Sequence, residues 1–343
     1  MATTPQRCTT CRRTMIKVPG LQYEMCPVCQ TVSLFNSKIK GRLAARLGQY
    51  ANSLANQDDL QNKIYRLPTQ RHGKKRAVLC GVTYNNHKKK LVASVYNVKS
   101  MQQLLVNKLG FPYASIRILT EEESDRSRIP TKRNIEEALR WLVHGCQSGD
   151  SLMFYYSGHG TRVRDQNGDE IDGYDEALCP VDYKQAGMIV DDDINAIIVA
   201  PLTYGVTLHS VIDTCFSGTV LDLPFHCKIN QEGLYIWEEH QLTNKGTSGG
   251  KALCISACAD DQNSADTSAF TGNTIGALTF SFIQAMETET KLTYGKLLSY
   301  MRKKVYQAQQ VVGRIAPFAS PKSQEPQLSC STRFELYSES VTL

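Results

Sequence analysis

From Ala77 onward, short runs of consecutive apolar residues alternate with amphipathic stretches, and this alternation limits the possible folds more than any other feature of the sequence. The apolar runs occupy residues 77–84, 115–119, 151–158, 206–213 and 251–258. Because polar and apolar residues do not alternate within them, the runs are typical of strands that are buried on both faces. We therefore predict an α/β fold with a mainly parallel sheet that is flanked by helices on both faces.

The stretches between the predicted strands have the spacing of amphipathic helices. Apolar residues recur at helical intervals in 95–109. Pro130 and Thr131 are typical first residues of a second helix. Two more helices are predicted near 275–286 and 294–309.

The composition is that of an ordinary globular protein. The chain has 343 residues, of which 41% are hydrophobic and 21% are charged, which excludes a mainly disordered or collagen-like protein. No apolar run approaches the roughly 18–20 residues that a membrane-spanning helix needs. The first residues, MATTPQRCTTC, lack the basic and then apolar layout of a signal peptide. We expect a soluble intracellular protein without a membrane partner.

Charge divides the sequence into a basic front and an acidic body. Residues 1–76 carry fourteen Lys and Arg against three Asp and Glu, whereas the remainder is net acidic. We predict a small module at 1–35, a polar and basic linker at 36–76, and a large domain at 77–343. The basic run RHGKKR (71–76) is either a nuclear-import patch or a solvated charge run, so a cytoplasmic location with access to the nucleus is expected.

Four cysteines in the small module have the spacing of a zinc site. Cys8, Cys11, Cys26 and Cys29 form the pattern C-x2-C-x14-C-x2-C. Two such pairs supply the four thiolates of a tetrahedral zinc ion and leave no open position, so we predict a structural site. So short a segment has almost no core, and the metal would supply most of its folding free energy. The alternative is four independent buried or redox-active thiols.

Two glycine-flanked loops follow the third and fourth predicted strands. They are SGHGT (157–161) and DTCFSG (213–218), and loops at the carboxyl ends of parallel strands meet at one edge of a sheet. His159 and Cys215 are therefore predicted to form a catalytic dyad, in which the imidazolium stabilises the nucleophilic thiolate and then protonates the leaving amine. The backbone N–H groups of Gly160 and Cys215 are the candidates to hold the oxyanion. The alternative is a buried cysteine and an unrelated core histidine.

These loops carry a family resemblance. The dyad residues are 56 positions apart, similar to caspases, whose histidine lies about 50 residues before the nucleophile, although the caspase Q-A-C motif is absent. YYSGHGT, DTCFSGTVLDLPF and the acidic block 168–183 resemble the corresponding blocks of metacaspases. The cysteine-rich segment, with Arg12 and Gly20, resembles the plant zinc finger of the lesion-simulating-disease type. Together they resemble plant type I metacaspases, which implies a caspase-like fold with a larger part near 77–225 and a smaller part near 250–343.

The resemblance implies a calcium-stimulated cysteine endopeptidase that cleaves after Arg or Lys in cell-death or stress signalling. A basic side chain at P1, the substrate residue before the cleaved bond, needs an acidic pocket. The family pattern places this pocket (S1) on Asp213 and Ser157, and its second aspartate falls on Asn97, which can hydrogen-bond a guanidinium but carries no charge. Thr214 and Phe216 also replace the usual Ser and His beside the nucleophile. These departures leave the strength of the preference for a basic P1 residue open.

Three consecutive aspartates, 191–193, suggest a cation site. Adjacent carboxylates repel one another unless they are solvated or bind a cation, and Ca²⁺ takes oxygen ligands. The alternative is a helix N-cap with solvated neighbours. The resemblance implies the calcium ligands Asp175, Asp191, Asp192 and Asp222, with Asp172 as the alternative to Asp175.

Two functions of different classes remain open from the sequence. The first is a monomeric cysteine endopeptidase that acts on protein substrates and whose zinc-finger prodomain binds a protein partner. The second is a zinc-finger scaffold or regulator with a weak or inactive protease domain. Nucleic-acid binding would rest only on the basic charge of residues 1–76. Self-cleavage is possible in the connecting segment 226–250 or near Arg76.

Overall fold

The computed structural model divides the chain into two units, Met1–Arg71 and His72–Leu343. The residues that it describes are 23–25, 32–34, 74–85, 90–170, 172–214, 217–230, 232–239, 245–257, 276–289, 291–315 and 325–343. In the first unit, two strands, β1 (Tyr23–Met25) and β2 (Val32–Leu34), pair antiparallel. The predicted zinc ligands Cys8, Cys11, Cys26 and Cys29 lie outside the described residues.

An eight-stranded sheet forms the centre of the second unit. Its strands, in spatial order, are β11 (Tyr235–Glu239), β10 (Phe225–Ile229), β13 (Gln327–Cys330), β12 (Lys251–Ser256), β9 (Thr207–Asp213), β5 (Ser151–Ser157), β3 (Lys75–Gly81) and β4 (Ile116–Thr120). The neighbours from β12 to β4 are parallel, and the three strands at the other end are antiparallel. The predicted α/β fold with a mainly parallel sheet is confirmed.

Helices occupy the connections between these strands. They are α1 (Ala93–Asn107), α2 (Lys132–Val143), the short α3 (Tyr183–Ala186), α4 (Asp191–Ile194) with a π-helical turn at Asn195–Val199, α5 (Ala277–Thr288) and α6 (Tyr294–Ile315). Thr131 caps α2 as its sequence position predicts, because its hydroxyl accepts a hydrogen bond from the backbone N–H of Asn134 at 3.3 Å. None of the described helices is long and apolar enough to cross a membrane.

Each face of the sheet is buried under its own group of helices. Leu79 points to a cluster that includes Met101 of α1 and Phe282 of α5. Its neighbour Val78 points to the other cluster, which includes Leu139 of α2. Since successive strand residues face opposite sides, both sides must be apolar, and this explains why β3 shows no alternation of polar and apolar residues.

A second, smaller sheet lies beside the carboxyl end of β5. It consists of β6 (Gly160–Arg164), β7 (Tyr174–Leu178) and β8 (Ile189–Val190), paired antiparallel. The sequence analysis did not predict this sheet. It also treated 226–250 as a connecting segment, whereas this segment contains most of the β10–β11 hairpin at the edge of the central sheet.

Candidate active site

The strand register places the starts of the two predicted catalytic loops side by side. β5 and β9 are parallel neighbours, and their last residues, Ser157 and Asp213, are paired. His159 follows Ser157 by two positions, and Cys215 follows Asp213 by two positions. Cys215 and Phe216 themselves lie outside the described residues.

The backbone of His159 is held from both sides. Its N–H donates a hydrogen bond to the hydroxyl of Tyr84 at 2.9 Å. Its carbonyl oxygen accepts one from the N–H of Cys179 at 3.0 Å. The imidazole packs against the ring of Tyr84, with 4.6 Å between ring centroids and 30° between ring planes. The half-buried His159 therefore has a defined position at the edge of the sheet, immediately before Gly160 begins β6.

Tyr84, which the sequence analysis did not select, is itself tightly constrained. It has a left-handed backbone conformation with φ of 56°, which is uncommon for a residue with a bulky side chain. The carboxylate of Glu121 stabilises this turn because it accepts the backbone N–H groups of Thr83 at 2.5 Å and of Tyr84 at 2.7 Å. The hydroxyl of Tyr84 in turn donates to the carbonyl oxygen of Cys179 at 2.5 Å. The position of Tyr84 at the end of a predicted strand was the only sequence feature that pointed to a role near the site.

The three predicted pocket residues come together in the structure. The side-chain N–H₂ of Asn97 donates to the hydroxyl of Ser157 at 3.0 Å and lies 3.5 Å from Oδ2 of Asp213. Thr279, at the start of α5, donates a hydrogen bond of 2.6 Å to the same Oδ2. Asp213 is partly exposed and supplies the carboxylate of this group. Burial raises the pKa of Asp213, and the hydrogen bonds from Thr279 partly offset that rise.

Asn97 also makes contacts within the protein that the sequence did not predict. Only 2% of its surface is exposed, and its carbonyl oxygen already accepts the backbone N–H of Gly276 at 2.9 Å. Asn97 is therefore buried between the ends of β5 and β9 and the start of α5, where it orients Ser157 and Asp213. The expected hydrogen bond from Asn97 to a substrate guanidinium stays a prediction, and its carbonyl oxygen already accepts one hydrogen bond within the protein.

A cluster of carboxylates lies next to the small sheet. Oxygen atoms of Asp169, Asp192 and Asp222 lie within 4.8 Å of one another. All three carboxylates contact the ammonium group of Lys245. A neighbouring group, which shares Asp169, is formed with Asp165 and Asp175. We call these residues, without the lysine, the carboxylate cluster.

The predicted calcium ligands fall into two sets. Asp192, Asp222 and Asp175 belong to the carboxylate cluster. The carboxylate of Asp191 instead accepts the backbone N–H groups of Glu176 and Asp192, each at 2.9 Å.

The alternative ligand, Asp172, forms an ion pair with Arg162 at 3.3 Å. Asp169, which the sequence analysis missed, is shared by both groups of the cluster. Only folding reveals this role, because the acidic block has several equivalent aspartates.

The electrostatics of the cluster favour a cation. Burial, together with the charges of Asp222 and Asp169, raises the pKa of Glu170 to about 8. Burial likewise raises the pKa of Asp191 to about 8 and that of Asp175 to about 6. Burial is the largest cause of each rise and neighbouring carboxylate charges add to it, so a cation bound among these acids would stabilise their ionised forms.

The donor atoms fit calcium. They are carboxylate oxygens, the ligand type that Ca²⁺ prefers. Oδ1 of the buried Asp169 has no hydrogen-bond partner among the residues that the structure describes. A buried carboxylate oxygen without a partner is unfavourable, and a bound cation would satisfy it.

Comparisons with known proteins agree on one family. Residues 75–224 match the family described as metacaspase, peptidase C14 domain. The chain is 45% identical to Metacaspase-1 of Arabidopsis thaliana, an alignment that covers 98% of this chain and 95% of that protein. It is 44% identical to Metacaspase-3 of the same plant, with 97% of each covered. The crystal structure of a Geobacter sulfurreducens protein shares the fold, with 19% identity, a TM-score of 0.50, and 76% of this chain and 95% of that chain covered.

Proposed function

Because this chain belongs to the metacaspase family of cysteine peptidases, as its motifs predicted, we propose that it is a calcium-stimulated endopeptidase that cleaves protein substrates after Arg or Lys. The observation that carries the proposal is the pairing of Ser157 with Asp213, which aligns a partly exposed carboxylate with the loop of His159. A charged substrate side chain bound by Asp213 would lie next to the reacting groups.

The family chemistry assigns the steps to two side chains. Cys215, as a thiolate, attacks the carbonyl carbon of the scissile peptide bond, and His159 gives a proton to the leaving amine. Water then attacks the thioester, His159 takes a proton from this water, and the thiolate leaves, which releases the acid product. The backbone N–H groups of Gly160 and Cys215 would hold the oxyanion in both steps.

The preference for a basic P1 residue rests on Asp213. A guanidinium or ammonium that leaves water needs a carboxylate partner, and the described part of the pocket offers this single one. Thr279 already donates to Oδ2 of Asp213, which orients this carboxylate and leaves it further acceptor positions for a substrate cation.

Calcium would be held by Asp169, Asp192 and Asp222, with Asp175 adjacent. The ion would supply positive charge that offsets the repulsion within the carboxylate cluster. The cluster adjoins β6 and β7, and β6 begins directly after His159. Ordering of this small sheet is thus the route by which the cation would act on the catalytic histidine.

The remaining parts of the proposal come from the sequence. The cysteine pattern supports a structural zinc finger in the prodomain, which would bind a protein partner and restrain or localise the peptidase. We propose a monomer in the cytoplasm, with access to the nucleus, that acts in cell-death or stress signalling.

Cleavage of fluorogenic peptides with Arg, Lys, Gln or Asp at P1 tests this function. We expect cleavage after Arg and Lys with millimolar Ca²⁺, little with a chelator, and none for Cys215→Ala. Asp213→Asn should reduce cleavage after Arg and Lys while leaving any cleavage after Gln unchanged. If folded, zinc-loaded protein cleaves no peptide, with residues 1–76 present or removed, the zinc-finger scaffold becomes the better account.

A further inference from the structure

The carboxylate cluster already contains a cation that belongs to the chain. The ammonium of Lys245 contacts carboxylate oxygens of Asp169, Asp192 and Asp222 at once. These are the same three residues whose oxygens are close enough together to share one metal ion. The lysine therefore occupies the position from which a metal would reach all three.

The surroundings of Lys245 distinguish it from other lysines in this part of the chain. Its side chain is 22% exposed, and its carbonyl oxygen accepts a hydrogen bond from the side chain of Asn195 at 3.3 Å. Lys228, in the same connecting segment, pairs with Glu238 and is 61% exposed. Lys245 is thus anchored through both its backbone and its side chain.

The negative charges of the three aspartates explain why the ammonium of Lys245 is held among them. Burial alone would lower the pKa of Lys245, but its hydrogen bonds with Asp169, Asp192 and Asp222 outweigh this effect and raise the pKa. The lysine remains charged at any physiological pH.

A calcium ion and the ammonium cannot use the same oxygens together. Ca²⁺ needs direct bonds of about 2.3–2.6 Å to six to eight oxygen atoms. An ammonium hydrogen-bonded to the same three carboxylates fills the space between them, and two cations at that distance repel strongly.

We propose that Lys245 is a tethered internal cation that competes with calcium for Asp169, Asp192 and Asp222, so that calcium binding expels the lysine and releases its segment to solvent. The calcium part of the proposed function is the premise of this inference. Because binding equilibria are reciprocal, the energy that holds Lys245 in the cluster must weaken calcium binding by the same factor.

The first test follows the release of the lysine in the catalytically silent full-length chain. In Cys215→Ala protein, lysyl endopeptidase should cut after Lys245 slowly in chelator and at least about fivefold faster with saturating Ca²⁺. Cutting after Lys228, measured in the same digests by mass spectrometry, should not change with calcium. A rate at Lys245 that is equal in both conditions would overturn the competition.

The second test measures calcium binding by titration calorimetry in the same background. Lys245→Met should bind Ca²⁺ at least about fivefold more tightly than its parent, while Lys228→Met should match the parent. Lys245→Met should also melt at a lower temperature than the parent in chelator, and calcium should remove that difference. Lys245→Arg keeps the charge and is expected to bind calcium much as the parent does, which controls for damage to the fold.

The outcomes separate the two proposals. Equal or weaker calcium binding by folded Lys245→Met would refute the competition and leave calcium stimulation intact. An absence of calcium binding by the parent and by all three lysine variants would refute the calcium part of the proposed function, and the competition with it.

Discussion

Tyr84→Phe removes one hydroxyl group from the support of the catalytic histidine. That hydroxyl accepts the N–H of His159 at 2.9 Å and donates to the carbonyl of Cys179 at 2.5 Å. The phenyl ring remains to pack against the imidazole. The substitution therefore tests the hydrogen bond without removing the aromatic contact.

The size of the effect follows from which partner is left without a hydrogen bond. The carbonyl of Cys179 keeps a second donor, the hydroxyl of Tyr156 at 2.8 Å. The N–H of His159 loses its partner, and a buried donor without one costs about 1–3 kcal/mol. Since His159 is only half-buried, we expect about 1–2 kcal/mol of lost stability, or a melting temperature lower by about 2–8 °C. Displacement of the imidazole should reduce kcat about tenfold or more, with little change in KM.

Tyr156→Phe is the matched control. It also removes a buried hydroxyl that donates to Cys179, together with a long contact of 3.4 Å to the carbonyl oxygen of His159, yet it leaves the bond between Tyr84 and the His159 N–H intact. We expect a similar loss of melting temperature and a much smaller loss of kcat for cleavage after Arg. Equal losses of kcat in the two variants, or full kcat in Tyr84→Phe, would refute a positioning role for Tyr84.

Three further predictions concern the pocket, the carboxylate cluster and the zinc module. A Cβ atom on Gly276 would lie 2.6 Å from Oδ2 of Asp213, so Gly276→Ala should displace this carboxylate. We expect kcat/KM for peptides with Arg at P1 to fall about tenfold and that for peptides with Gln at P1 to stay the same. If the ratio of these two kcat/KM values does not change, the prediction is wrong. Without metal, Glu170 and Asp191 have a raised pKa of about 8 in the folded state, so that state binds more protons than the unfolded one between about pH 4 and 8. The melting temperature in chelator should therefore fall as pH rises through this window, and it should depend less on pH when Ca²⁺ is present. A melting temperature in chelator that rises with pH would contradict the prediction. Cys26→Ser should lose one zinc ion per chain in elemental analysis without changing the melting of the peptidase domain, and retention of the zinc would argue against the site.

The sequence alone was sufficient for the five parallel strands of the central sheet and for the loops that carry the chemistry. Runs such as 77–84 are mainly apolar because each face of their strand packs on helices. This pattern is local and can therefore be recognised from the sequence alone. Motifs such as SGHGT belong to single turns, whose geometry depends on neighbouring residues. These features depend on residues close in sequence and were predictable, although the local hairpin of β10 and β11 was not predicted.

Features that join distant segments were settled only by folding. Asp213 meets Thr279 across 66 positions, and Tyr84 meets His159 across 75. Lys245, in a segment that looked like a simple connection, reaches Asp192 across 53 positions. The sequence around each of these residues does not identify its distant partner, because the chain contains many other hydroxyl, aspartate and lysine side chains of the same kind. Their selection depends on strand order and on burial, which make a carboxylate or an N–H group costly unless a particular distant residue satisfies it.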